Sequence, residues 1–147
     1  RAINLEVQAH VSETNYPKPK RSATGVDTKR LTMHVALLEK KLDIPINQYD
    51  VFINISGGIK IKESSADLAV IAAIISSFRD RPISKESVFI GEVSLTGEIK
   101  DVYSIDLRLK EAQAQGIKKA IIAQKTNLKL DLKTFAVDEV SKVIELF

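Results

Sequence analysis

Residues 3–11 (INLEVQAHV) alternate apolar and polar, with Ile3, Leu5, Val7, Ala9 and Val11 on one side, the period of a half-buried strand. Ser12 to Ala23 follows with Pro17 and Pro19, which forbid a helix and disfavour an inner strand, so an extended surface loop is expected. Asp27 or Thr28 can cap a helix to about Leu42, because Leu31, Val35, Leu38 and Leu42 share one face. Tyr49 to Ile55 reads as a strand, and Gly57-Gly58 turns it into a short second one, Ile59 to Lys62. The next helix, about Ser65 to Arg79, is apolar on nearly every side and should be central and buried, with Pro82 stopping it.

Val88 to Ser94, Thr96-Gly97 and Glu98 to Val102 read as a β-hairpin. A helix over about Ser104 to Gln115 places Ile105, Leu109 and Ala112 inward, with Gly116 just past its end. Lys119 to Ala123 is a strand, Leu130 to Ala136 holds another, and Val137 to Phe147 ends as a helix. Helices and strands alternate, interrupted by hairpins. The expected class is α/β or α+β with a mixed sheet, in one domain over residues 1–147.

Composition agrees with that and narrows the chemistry. At 147 residues and 44% hydrophobic, a core can form without a disulfide or metal staple. The longest apolar run, Leu68 to Ile75, is far short of a membrane span, and no signal peptide precedes the first strand. A cytoplasmic protein with no membrane partner is expected. Zero cysteines exclude disulfide frameworks, thiolate zinc clusters and a catalytic thiol. A chain starting at Arg1 reads as a piece of a longer protein.

The net charge of +3 is unevenly placed. Between Ser12 and Arg30, Lys18, Lys20, Arg21, Lys29 and Arg30 face only Glu13 and Asp27, so this window carries the whole excess.

Most candidate sites are weak. There is no GxxxxGK[ST] phosphate loop, and Gly57-Gly58 is better explained as a turn. His10 and His34 have no second histidine or carboxylate at ligand spacing, so no metal site is expected; His34 reads as a residue bordering the apolar face of its helix. Ser64-Ser65-Ala66-Asp67 has the pattern of a capping box, with Asp67 reaching back to the cap. A serine at a helix N-terminus is also placed to be a nucleophile, but it needs a base within reach, and no neighbour in the sequence supplies one.

The blocks RSATGVDTKRL, DVFINISGGIKIKESSADLAV, SSFRDRPI and FIGEVSLTGEIKDV resemble the C-terminal, Lon-protease-like domain of the RadA (Sms) family of bacterial DNA-repair proteins, over about residues 3–123. The resemblance implies the fold of ribosomal protein S5 domain 2. It puts Ser65 at the nucleophile position of the Lon-type Ser-Lys dyad and Asp106 where the lysine should be. An aspartate there would repel the developing alkoxide and oxyanion, so the resemblance implies a domain without proteolytic activity. The alternative is a Ser-Lys-type peptidase using Ser65. Lys110 lies one helical turn from Asp106, about 5.4 Å, too far to substitute without rearrangement.

The resemblance further implies a part of a hexameric, ATP-dependent branch-migration helicase in recombinational repair. Its zinc finger and RecA-like ATPase, with their Zn, ATP and Mg, would lie outside this piece, which itself needs no cofactor. Homo-oligomerisation, DNA and a recombinase are the implied partners.

For DNA the candidates are Lys18, Lys20, Arg21, Lys29 and Arg30. A Pro-spaced loop displays such cations for sequence-independent phosphate contact, with a log–log salt slope near −4 to −5 for five contacts on duplex. Tyr16 is the sole aromatic of that window, so no base-stacking platform is expected there. The alternative for the basic run is a solvated loop, or one that pairs with acidic residues of a neighbouring subunit.

Overall fold

The computed structural model describes residues 6–15, 17–56 and 63–146. Ile3 and Leu5, Tyr16, and the expected Gly57-Gly58 turn with its strand over 59–62 lie outside the described residues. The elements in chain order are strand β1 (Glu6–Glu13), β2 (Arg21–Thr24), helix α1 (Thr28–Lys41), β3 (Tyr49–Ser56), α2 (Asp67–Arg79), β4 (Ser87–Phe89), β5 (Glu92–Val93), β6 (Ile99–Lys100), α3 (Ile105–Ala114), β7 (Lys119–Ile122), β8 (Lys133–Ala136) and α4 (Val140–Val143). The class is mixed α/β, as the alternation of patterns predicts.

One sheet has the order β1-β3-β2. β1 is antiparallel to β3, from Glu6 opposite Ser56 to Glu13 opposite Tyr49, and β2 is parallel to β3, with Arg21 opposite Val51. Because side chains alternate across a sheet, Val7, Ala9, Val11, Ala23, Val51, Ile53 and Ile55 line the core side. Gln8, His10, Phe52, Asn54, Ser22 and Thr24 are left on the other side. α2 packs against β1, and its Ser77 hydroxyl accepts the Val11 N–H at 3.0 Å, capping a donor on the sheet edge.

The second sheet, β4-β7-β8, is parallel throughout. It is covered on both faces, and its strands divide their side chains between two hydrophobic clusters. Phe89 and Ile121 pack with α2, while Val88, Ile90, Ala120 and Ile122 pack with Leu109 and Ala112 of α3.

Several elements form as the patterns require. Asp27 caps α1 by accepting the Lys29 N–H at 3.1 Å, and Leu31, Val35 and Leu38 are buried beneath it. α2 buries Leu68, Val70, Ile71, Ala72, Ile74 and Ile75 completely and ends at Asp80 in the left-handed region.

The structure also departs from the sequence reading. The Ser12–Ala23 segment is not all loop: β1 continues to Glu13, and Arg21–Thr24 is a strand. Pro17 and Pro19 precede β2, so no ladder donor is missing where it pairs. The expected 88–102 hairpin is two structures. β4 joins the parallel sheet, and only β5 and β6 pair, around a turn in which Gly97 N–H bonds Ser94 C=O at 3.0 Å. The C-terminal helix is reduced to α4 and a 3₁₀ turn, because Val137 and Asp138 are held extended by Ile122 and Ile99.

Candidate functional site

The basic window divides by burial. Lys18, Lys20 and Lys29 are exposed, whereas Arg21 and Arg30 are half-buried and serve the fold. Arg21 points inward from β2 and donates to the carbonyls of Tyr49 and, at 3.2 Å, Ile46. Burial pulls its guanidinium below the ordinary arginine value, against the opposing charges of Glu39 and Asp50. Lys20 sits where the loop enters β2. Its N–H donates to Asp50 Oδ1 at 2.7 Å, and that bond, more than any other influence, holds the Asp50 carboxyl below the usual range. An open depression of about 630 Å³ runs between this loop and α1, lined by Lys18, Arg21, Val35, Glu39, Lys40 and Asn47 among others.

Arg30 has a different destination. Its Nε and Nη2 each donate at 2.6 Å to the two oxygens of Asp67, the first residue of α2, in a bidentate pair. Asp67 is 0% exposed. It also accepts from His34 Nε2 at 3.1 Å and from the Val93 N–H at 2.9 Å. Burial pushes the carboxyl up, but the bonds from Arg30, His34 and Val93 outweigh it and hold Asp67 below the ordinary range. With Asp67 as acceptor, Nε2 of His34 carries the hydrogen, and Nδ1 is buried without a hydrogen-bond partner among the described residues.

This cluster corrects two expectations. Asp67 does not reach back as a capping box: a 3₁₀ turn over Glu63–Ala66 leads into α2, and Ala66 at the cap makes no side-chain bond. His34 does have a carboxylate beside it, supplied by a residue 33 positions away. Arg30 and His34 are four apart on α1 and therefore share a face. That spacing, opposite a lone acid in the apolar run, was the available signal.

The two positions of the Lon-type dyad are not joined. Ser65 is buried in the 3₁₀ turn, 8% exposed, with no side-chain hydrogen bond to it among the described residues. Asp106 is exposed on α3, and its Oδ1 accepts from Thr126 Oγ1 at 3.3 Å. Among the described residues no group of three or more His, Cys, Asp or Glu is arranged to hold a metal. No helix among them is long and apolar enough to cross a membrane.

Sequence comparison now places this architecture. Residues 21–126 match the family described as subunit ChlI of Mg-chelatase, and the chain belongs to that family. Within it, the similarity is to DNA-repair proteins. The chain is 59% identical over 145 residues to the DNA repair protein RadA of Campylobacter jejuni, covering 99% of this chain and 32% of that protein. It is 52% identical over 145 residues to RadA of Helicobacter pylori, covering 99% of this chain and 32% of that protein. For RadA of Bacillus subtilis the identity is 43% over 122 residues, covering 83% of this chain and 27% of that protein. The chain thus spans about a third of the length of the first relatives it matches. The resemblance drawn from the four sequence blocks is borne out.

Proposed function

We propose that this chain is a single Lon-like domain, without proteolytic activity, that guides DNA and helps assemble the ring of a hexameric, ATP-dependent branch-migration helicase in recombinational repair. ATP, Mg and Zn, in this reading, belong to parts of a longer cytoplasmic protein outside this chain, and a recombinase is a further partner. The observation that carries the reading is the exposure of Lys18, Lys20 and Lys29 on a chain so similar to proteins named for DNA repair. Arg21 and Arg30 act with them by fixing the loop and the start of α1. Contact is with phosphates and sequence-independent, since among the described residues no helix presents Arg, Asn and Gln together for base edges.

The division between exposed lysines and anchored arginines changes the expected magnitude. Three phosphate contacts correspond to a log–log salt slope near −2.7 on duplex DNA, rather than the −4 to −5 of five. In the full-length protein, replacing Lys18, Lys20 and Lys29 together with alanine should weaken duplex binding and flatten the slope by about that amount, with hexamers intact by sedimentation. Unchanged affinity and slope would remove the DNA assignment.

The competing reading is a peptidase using Ser65. The burial of Ser65 and the exposure of Asp106 on another element favour the reading without catalysis. A fluorophosphonate probe should leave the protein unlabelled. Stoichiometric labelling that disappears in Ser65→Ala would overturn the non-proteolytic reading.

A further inference from the structure

Arg21 uses only part of its guanidinium inside the fold. Of the five N–H donors that a guanidinium carries, its Nη1 serves the carbonyls of Tyr49 and, at 3.4 Å, Lys20, and Nη2 gives one hydrogen to Ile46 C=O at 3.2 Å. Nε–H and the second Nη2 hydrogen have no hydrogen-bond partner among the described residues. Nε and Nη2 are the nitrogens with which Arg30 holds both oxygens of Asp67. Arg21 is half-buried and lines the depression between the 18–21 loop and α1, so a carboxylate entering there meets unused donors on a partly desolvated cation.

The walls of the depression specify more than an anion. From α1 come Thr32, Val35, Ala36, Glu39 and Lys40, at i, i+3, i+4, i+7 and i+8, a single helical face. Val35 and Ala36 supply apolar surface, and the short side chains of Thr32 and Ala36 leave the space open. Lys18, Arg21 and Lys40 outnumber Glu39, the one acid in the lining. Glu39 acts on Arg21 through its charge, and among the described residues the two form no salt bridge. Thr32 to Lys40 spans about 12 Å of helix, the length of about four extended residues.

That shape and charge select among occupants. A small molecule would need a cleft enclosing most of its surface, whereas this depression is open along its length. A nucleic-acid backbone would bring phosphates against Glu39 and nothing apolar to Val35 and Ala36. An extended peptide that alternates acidic and aliphatic residues satisfies both halves of the lining. Its carboxylates turn toward Arg21 and the lysines, and its aliphatic side chains turn toward Val35 and Ala36.

We infer that the depression between the 18–21 loop and α1 is a docking groove for an acidic, aliphatic segment of a partner protein, with one carboxylate bound by Nε and Nη2 of Arg21. The groove adjoins the lysines of the DNA-guiding reading but does not depend on that reading.

The probe is a fluorescein-labelled peptide of five Asp-Leu repeats, titrated with the full-length protein at low salt and read by fluorescence anisotropy. Binding should saturate, and the matching Asn-Leu peptide should bind about 10- to 150-fold more weakly, the range of a hydrogen bond to a charged group. Ala36→Trp, which fills the groove from an exposed helix position, should abolish saturable binding of the Asp-Leu peptide over the same concentrations. Its duplex affinity, oligomer size by sedimentation and melting temperature should match wild type. Arg21→Lys keeps the charge but loses the planar fork, and its loss should fall in the same range of about 10- to 150-fold. Because Arg21 also ties β2 to Tyr49 and Ile46, Ala36→Trp decides the question if Arg21→Lys melts early.

No saturation with wild type, equal affinity for the two peptides, or wild-type affinity in Ala36→Trp would overturn the inference. Smaller oligomers in Ala36→Trp would show that a second copy of the chain fills the groove, and weaker duplex binding would assign it to the DNA surface; either result also overturns it. The DNA-guiding reading is tested separately, by the Lys18, Lys20 and Lys29 variant on duplex, so the two can fail independently.

Discussion

Asp67→Ala is expected to lower the unfolding free energy by about 3–5 kcal/mol, the cost of removing one partner from a buried ion pair. The substitution removes the acceptor of four N–H donors on three residues. Arg30, with only 24% of its side chain exposed, loses both acceptors of its fork; His34 Nε2 and the Val93 N–H lose theirs. The loss should appear in urea melts as a lower midpoint with an unchanged slope. Asp67→Asn, which preserves volume, should recover only part, because its amide NH₂ would face the Arg30 donors.

The cluster also predicts an acid response. A carboxyl held lower in the folded than in the unfolded chain contributes stability above its unfolded pKa of about 3.9, and that contribution disappears as pH falls through the folded value. Wild type should therefore lose stability below about pH 4 more steeply than Asp67→Asn. Parallel curves for the two would show that the carboxylate is not a source of acid lability. The cluster need not be more stabilising than an apolar substitute of equal volume. What it does is fix a geometry, holding α1, the start of α2 and β5 to one point.

The second large effect is at Gly25. Its φ is +87°, and a Cβ there would sit 2.4 Å from the backbone carbonyl oxygen of Ile55, a neighbour that cannot rotate away. Gly25→Ala should cost about 2–5 kcal/mol, combining left-handed strain with overpacking. Gly116 is the internal control. Its φ is +88°, but nothing lies within 4 Å of its virtual Cβ, so Gly116→Ala should cost only about 1–2 kcal/mol. Equal losses in the two melting curves would mean that strain alone, and not the approach of β3, dictates glycine at position 25.

What could be read from the sequence was what local rules govern. The Asp27 cap, the Leu31–Val35–Leu38 face and the buried α2 each depend on residues within a turn or two, and each formed as the pattern required. β2 was hidden because its pairing is parallel, its partner lies thirty residues on, and its inward position is an arginine rather than an aliphatic residue. β4 and β5 merged into one expected strand because alternation does not reveal which sheet a strand joins. The basic window was recognised, but not its division. Asp50 and Asp67, both outside it, take up part of its charge, and only the fold shows which cations remain at the surface. Asp67 was read through its neighbours in sequence, whereas its donors come from α1 and β5.

The central strand of the parallel sheet ties the fate of the two cores together. β7 sends Ile121 into the larger core and Ala120 and Ile122 into the smaller one beneath α3. Loss of the smaller cluster would expose one face of the same four-residue strand that seats Ile121 in the larger core. This sharing couples the two clusters, and they are expected to unfold in one cooperative step. Load borne at α3 would reach the packing around α2 through a single rigid strand.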